Sequence, residues 1–159
     1  MALSGPPASA EDVARLGELI TRWATSERET NELVLAVDSM VDRERGGRRW
    51  FVRLKGEDKD VTTVWFHLRE RTLHFETQFM PQPEEDQVEL YELLLRLNAR
   101  MVGAKFTIGW EDAVYLEGEL PLGAVDEDAL DTIIGRVWTY TERWFRACMR
   151  IGYRSKFRL

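Results

Sequence analysis

Between Val61 and Met80, two runs rich in Val, Thr, Trp and Phe flank the polar residues Arg69, Glu70, Arg71 and Thr72. β-Branched and aromatic side chains suit a pleated, half-buried surface, and a short polar break between two such runs is a hairpin signal. Any symmetric loop sets Leu68 against Leu73, Phe66 against Phe75 and His67 against His74, with Trp65 and Glu76 paired beside them. One face of the hairpin is then apolar and the other mixed. Slipping the register by one residue would turn the apolar set to water. A chain carrying this hairpin must therefore cover one face of a sheet and leave the other face to polar company.

The cover comes from amphipathic helices. Ser9 stands at an N-cap position, Glu11 and Asp12 follow in the first turn, and Val13, Leu16, Ile20 and Trp23 recur at helical spacing, which predicts a helix over residues 10 to 26. Met80-Pro81-Gln82-Pro83 stops the hairpin, since proline donates no ladder hydrogen bond. Glu84-Glu85-Asp86 then opens a second helix that runs to about Val102. Its apolar residues, among them Leu90, Leu93, Leu94 and Leu97, span an arc of roughly 220°, wider than packing on one sheet requires. Asn98 lies in the middle of that arc, where an amide needs hydrogen-bond partners; the backbone of a loop or strand is the expected partner. Asp126 caps a third helix that extends to about Ile151, and Leu130, Ile133, Val137, Trp144 and Cys148 line one half of it.

Alternation marks the other strands. Trp50, Val52 and Leu54 give a firm strand over residues 48 to 55, whereas Val37, Ser39 and Val41 alternate weakly before the Gly46-Gly47 turn. Residues 105 to 110 and 113 to 120 form a second hairpin, with Val114, Leu116 and Leu120 facing one way and Tyr115, Glu117 and Glu119 the other. Strands joined by hairpins, with helices between the groups, argue an α+β domain on an antiparallel sheet in the order α-β-β-β-α-β-β-α, with the weak segment a fourth early strand or a loop. The 159 residues fit one domain, expected over residues 10 to 157 behind a flexible lead of residues 1 to 9. The first residues lack a basic and apolar leader pattern, the longest apolar run (Leu33 to Val37) is far too short to span a bilayer, and a lone cysteine makes no internal disulfide. No membrane association and a cytoplasmic location are the expectation.

Charge is segregated. The balance is −2 over residues 1 to 83, −10 over 84 to 131 and +6 over 132 to 159. Arg143, Arg146 and Arg150 project from one side of the third helix, with Arg136, and lead into Arg154, Lys156 and Arg158. An overall pI near 5.1 disfavours nucleic acid as the partner of this basic end. Pairing with the acidic middle, within one chain or across subunits, fits better.

Catalytic signatures are absent: no phosphate-cradling glycine loop, no serine elbow between glycines and no pair of His four apart on a helix. Cys148 sits in an apolar stripe, where a thiol is shielded and unreactive. His67, His74 and Glu76 could in principle hold a divalent ion, yet their spacing matches no ligand motif and polar residues are ordinary on the outer face of a sheet. No metal and no cofactor are expected, and the pair is read as exposed and available to solvent or to a protein.

Three stretches, KGEDKDVTTVWFHLRERTLHFETQFMPQPEED, LLRLNARMVGAKFTIGWEDAVYLEGELPL and MRIGYRSKF, resemble in that order the YbjN-domain proteins of actinobacteria, over about residues 48 to 157. The resemblance implies a fold like that of type III secretion chaperones and a role in binding or sensory regulation; it supplies no active site. The expectation is a noncatalytic cytoplasmic protein-binding module, chaperone-like or adaptor-like. Its candidate partner-binding residues are Trp65, His67, His74, Glu76, Arg143, Arg146, Arg150 and Arg154. A small-ligand or metal-responsive regulator acting through the outer sheet face is the alternative. The wide apolar arc of the second helix further predicts a homodimer contact through Leu90, Leu93, Leu94 and Leu97.

Overall fold

The computed structural model describes residues 5 to 157. The first four residues of the expected lead, and Arg158, lie outside the described residues. Helix α1 (Ala10–Thr30) is followed by four strands, β1 (Val34–Val41), β2 (Arg48–Lys55), β3 (Val61–Leu68) and β4 (Thr72–Met80). Then come α2 (Gln87–Asn98), β5 (Lys105–Ile108), β6 (Val114–Pro121) and α3 (Glu127–Gly152). The strands make one antiparallel sheet in the order β1-β2-β3-β4-β6-β5. The α+β class holds, with one strand more before α2 than the predicted order. The extra strand is β1: it pairs on one side only and is exposed along much of its length, so little selects an apolar alternation in it.

The central hairpin has the anticipated register, with Leu68 opposite Leu73, Phe66 opposite Phe75, His67 opposite His74 and Trp65 opposite Glu76. Its apolar face, with Trp50, Val52 and Leu54 of β2 and Leu116 of β6, is buried under the helices. α1 starts at a capping box in which Ser9 Oγ accepts from the backbone of Asp12 and the Asp12 carboxylate accepts from Ser9 N. From it Leu16, Ile20 and Trp23 enter the core, and the Trp23 ring meets Phe66 edge-on at 5.6 Å. The indole N–H groups of Trp23 and Trp50 find acceptors in Asp131 and Thr21, and that of Trp138, nearer the surface, donates to the Lys55 carbonyl. Asp126 caps α3 by accepting from Ala129 N at 2.8 Å.

α2 ends at Asn98, short of the expected Val102, and departs from expectation in two further respects. It begins at Gln87, after Asp86 in a left-handed conformation (φ 48°), because the acidic residues ahead of it bind the C-terminal turn instead. Glu84 pairs with Lys156, Glu85 accepts from Ser155, and Asp86 and Glu89 both hold Arg154 at 2.8 Å. The acidic middle and the basic end thus meet inside one chain. Secondly, Leu90, Leu94 and Leu97 are buried in the chain's own core and are not presented to a second subunit, while Leu93 packs against that core and stays half-buried. The wide arc exists because α2 lies against both α3 and β5. What α2 does expose is Val88 and Leu95, the latter 70% exposed. Among the described residues no helix is long and apolar enough to cross a membrane.

Candidate functional site

With the helices gathered on one face, the other face of the sheet is open, and side chains of alternate residues form rows across it. One row runs Asp38, Phe51, Trp65, Glu76, Glu117 and Lys105 through all six strands; the next runs Met40, Arg49, His67, His74 and Glu119. Within these rows the Arg49 guanidinium lies 4.3 Å from the Trp65 ring centre and the Phe51 ring meets Trp65 edge-on at 5.3 Å. Arg53 in turn lies 5.3 Å from the Phe51 ring. Such stacking holds long cationic side chains in place along an aromatic track.

Two loops rise at the margins of this face. In the β1–β2 loop, Asp42 Oδ1 accepts from the backbone of Glu44 and Arg45, which folds the loop and holds the Asp42 carboxyl below its ordinary range. Gly47 (φ 84°) lets the loop close over the sheet, since a Cβ there would meet the Leu68 carbonyl at 2.9 Å and His67 Nε2 at 3.4 Å. On the far side, Glu111 and Asp112 both adopt left-handed φ of 56°, unusual for two consecutive non-glycine residues. They hold Trp110, 74% exposed, over the edge of the sheet face. Between the loops lies a groove of about 790 Å³ lined by Arg45, Arg49, Arg53, Trp65, Trp110 and Tyr115, among others.

His67 and His74 belong to this face but are not exposed, contrary to the reading of them as a solvent-facing pair: they are 6% and 7% exposed. The β1–β2 loop covers His67, whose Nε2 lies 2.9 Å from the Gly46 carbonyl and therefore donates to it. That leaves Nδ1 buried with no hydrogen-bond partner. Neighbouring side chains on β4 and β6 enclose His74; burial first, then the Arg69 charge, hold its pKa below the ordinary imidazole value, against the pull of Glu76, Glu117 and Glu119. Trp65 and Glu76 are half-buried in the same rows.

The four arginine candidates lie elsewhere. Arg143, Arg146 and Arg150 are on α3 and Arg154 follows it, and none of the four lines the groove; Arg146 pairs with Asp58 at 2.9 Å, beside the groove's Lys59 and Phe145 end, and Arg154 is held by α2. The structure thus brings together Trp65, His67, His74 and Glu76, and separates them from the basic end. Residues of the face that sequence reading did not single out are Arg49, Arg53, Trp110, Tyr115 and Glu117. Alternation over residues 113 to 120 groups Tyr115, Glu117 and Glu119, but only the β4–β6 pairing puts them on the same side as His74.

Lys59, at the end of the groove, is half-buried, and partial burial lowers the pKa of its amine to about 8. Its Nζ donates to the carbonyls of Gln78 and Phe79, and Glu142 fixes the loop around it by accepting from the backbone of Glu57 and Asp58. Two of its three hydrogens go to those carbonyls, which places it as a structural cation.

Fold and face together define an antiparallel α+β protein with helices on one side of a six-stranded sheet and an aromatic and arginine-lined groove on the other. The chain belongs to the YbjN family, described as "putative bacterial sensory transduction regulator", whose profile matches residues 18–150. Similar chains include an uncharacterized protein of Mycobacterium tuberculosis strain H37Rv, 32% identical over 104 residues, and one of Mycobacterium leprae, 30% identical over 107. These matches take in 65% and 67% of this chain but only 57% and 58% of those proteins, so the chain matches little more than half the length of its curated relatives. Among solved structures, a chain of the heterodimeric ExoU–SpcU complex from the type III secretion system of Pseudomonas aeruginosa aligns at 18% identity with a TM-score of 0.48. That alignment covers 59% of this chain and 80% of that one.

Proposed function

We propose that this chain is a noncatalytic, cytoplasmic protein-binding module, chaperone-like or adaptor-like, whose open sheet face receives an extended segment of a partner polypeptide. The observation that carries the reading is the groove itself: Trp65, Trp110, Tyr115, Arg49 and Arg53 converge on a sheet surface that α3 borders through Phe145 at one end. Trp, Tyr and Arg are the side chains that dominate binding energy at protein interfaces, because they offer large contact area together with a polar handle. Backbone strain at Glu111 and Asp112 holds Trp110 outward, where it gains nothing from the core. No nucleophile hydrogen-bonded to a base stands among the described groove residues, which supports binding over turnover. A homodimer belongs to this reading with its contact on the exposed side of α2, at Val88, Tyr91 and Leu95.

A photo-crosslinking amino acid placed at Trp110 and, as a control, at Glu18 on the helical side tests the proposal in extract of the native cell. The expected result is a discrete protein adduct from position 110 that position 18 does not give and that Arg53→Glu weakens. Equal labelling from both positions, or none from 110, overturns it. The groove volume also lies in the range of small-molecule sites, which favours a small-ligand regulator as the second reading. A saturable thermal shift with a metabolite, without any protein adduct, would support that one instead.

A further inference from the structure

A second constellation on the mixed face adjoins the aromatic track, sharing Glu76 with the groove, but its argument does not depend on the protein-binding reading. His74 Nε2 on β4 lies 3.6 Å from Glu117 Oε2 on β6, beyond hydrogen-bond reach, although the His74 side chain is only 9% exposed. Glu76 is the direct cross-strand partner of Glu117, two like charges side by side, with Arg49 3.9 Å from Glu76 and Lys105 opposite Glu117 as their neighbouring cations. One donor atom from each of His74, Glu76 and Glu117 lies within 4.8 Å of the other two. Beside them, His67 keeps its buried Nδ1 without a partner, a further polar atom on this face that the protein does not satisfy by itself.

We propose that His74, Glu76 and Glu117 bind one divalent first-row transition-metal ion. One imidazole nitrogen with two carboxylate oxygens, and no thiolate, is a ligand set for Zn²⁺, Mn²⁺ or Fe²⁺; the imidazole argues against Ca²⁺ and Mg²⁺. Donors at metal-bonding distance from a common ion are about 3–4 Å apart, so small rotations of the two glutamates close the set. Three strands of hydrogen-bonded backbone fix the positions of the ligands: β4 is paired with β3 on one side and with β6 on the other. A cavity of about 330 Å³, lined also by Arg45, Arg69, Trp110, Tyr115 and Glu119, adjoins the three donors and leaves room for water in the remaining coordination positions.

The charges facing the set do not forbid an ion. Glu76, Glu117 and Glu119 stand against Arg45 and Arg69, with Arg49 3.9 Å from Glu76 and Lys105 cross-strand from Glu117, so these groups together carry no net negative charge. Affinity therefore has to come from direct coordination rather than from a negative field, and the ion must displace Arg49 from Glu76.

Untagged, chelator-treated full chain titrated by calorimetry with Zn²⁺ alone, and separately with Mn²⁺ alone, tests the site. The expected result is one ion per chain for at least one of the two metals, with affinity lowered about tenfold or more by Glu117→Gln and by Glu76→Gln. Glu119→Gln, which changes a carboxylate beside the cavity but outside the set, should leave the affinity close to that of the unaltered chain. The two glutamate variants carry the test because His74→Gln alters a buried ring that can disturb folding; circular dichroism establishes that each variant is folded. No stoichiometric binding of either ion, or one-to-one binding that Glu117→Gln and Glu76→Gln leave unchanged, overturns the proposal.

Discussion

Asn98 of α2 holds the backbone of Phe106 on β5 twice: its Nδ2 donates to the Phe106 carbonyl at 3.1 Å, and the Phe106 N–H donates to its Oδ1 at 2.6 Å. The amide in the middle of an apolar arc thus takes the place of a neighbouring strand for one residue of β5, which pairs on its other side with β6. Asn98→Ala leaves both backbone groups without that partner and should cost about 1–3 kcal/mol. Asn98→Asp keeps the acceptor but sets a carboxylate against the Phe106 carbonyl, and it should also destabilise. Urea unfolding checks both: the midpoint should fall with little change in slope, and an unaltered midpoint refutes the assignment.

His74 makes stability depend on pH. Its folded pKa lies below the ordinary 6.5, by burial first and then by Arg69. On acidification the unfolded chain takes up this proton before the folded one does. The stability is whole above about 6.5 and is lost as the pH falls from there through the folded pKa. Thermal melting of metal-free protein between pH 7.5 and 5 should show a falling Tm, and a folded His74→Gln variant should show a shallower fall. Equal slopes in the two proteins would remove His74 as the cause. Since both rings are buried, replacing His67 and His74 together by Ala should cost several kcal/mol, where an exposed pair would cost next to nothing.

Cys148 is fully buried on α3, and burial pushes its thiol up to about 12. The thiolate is therefore scarce and shielded at neutral pH. A disulfide reagent should label it slowly in the native protein and rapidly in denaturant. Prompt labelling without denaturant would mean that α3 opens readily at this point.

Light scattering at micromolar concentration should give about twice the single-chain 18.6 kDa for the proposed homodimer. Leu95→Glu, at a position 70% exposed, should return it to the single-chain mass without unfolding it. Leu97→Glu is the wrong probe, because Leu97 is buried within its own chain and a charge there unfolds the protein. A mass near 18.6 kDa for the unaltered chain removes the homodimer from the functional reading.

Local signals were strong where neighbours in sequence are also neighbours in space. The β3–β4 register follows from residues 61 to 80 alone, because a short polar loop between two runs with one apolar face leaves few pairings. Ser9 and Asp126 were legible as caps for the same reason: each bonds a backbone N–H three residues on. β1 was weak in sequence because it is an edge strand with little buried surface to select its residues. The start of α2 was misplaced because Glu84, Glu85 and Asp86 look like first-turn acids, while their partners lie some 70 residues away in Arg154, Ser155 and Lys156.

By itself, then, the sequence determined the α+β class, the central hairpin and its two unlike faces, the caps of α1 and α3 and the apolar stripes. These depend on period, turn chemistry and short-range hydrogen bonds that the order of residues already contains. Only the tertiary structure decided what each face meets. Packing of α2 against both α3 and β5 turned presumed subunit contacts into core. Closure of the β1–β2 loop and enclosure by neighbouring side chains buried two histidines that alternation alone would have left in water. Pairing of β4 with β6 set Glu117 beside His74 and Glu76, a juxtaposition across some 40 residues of chain that long-range strand pairing creates and no local spacing encodes.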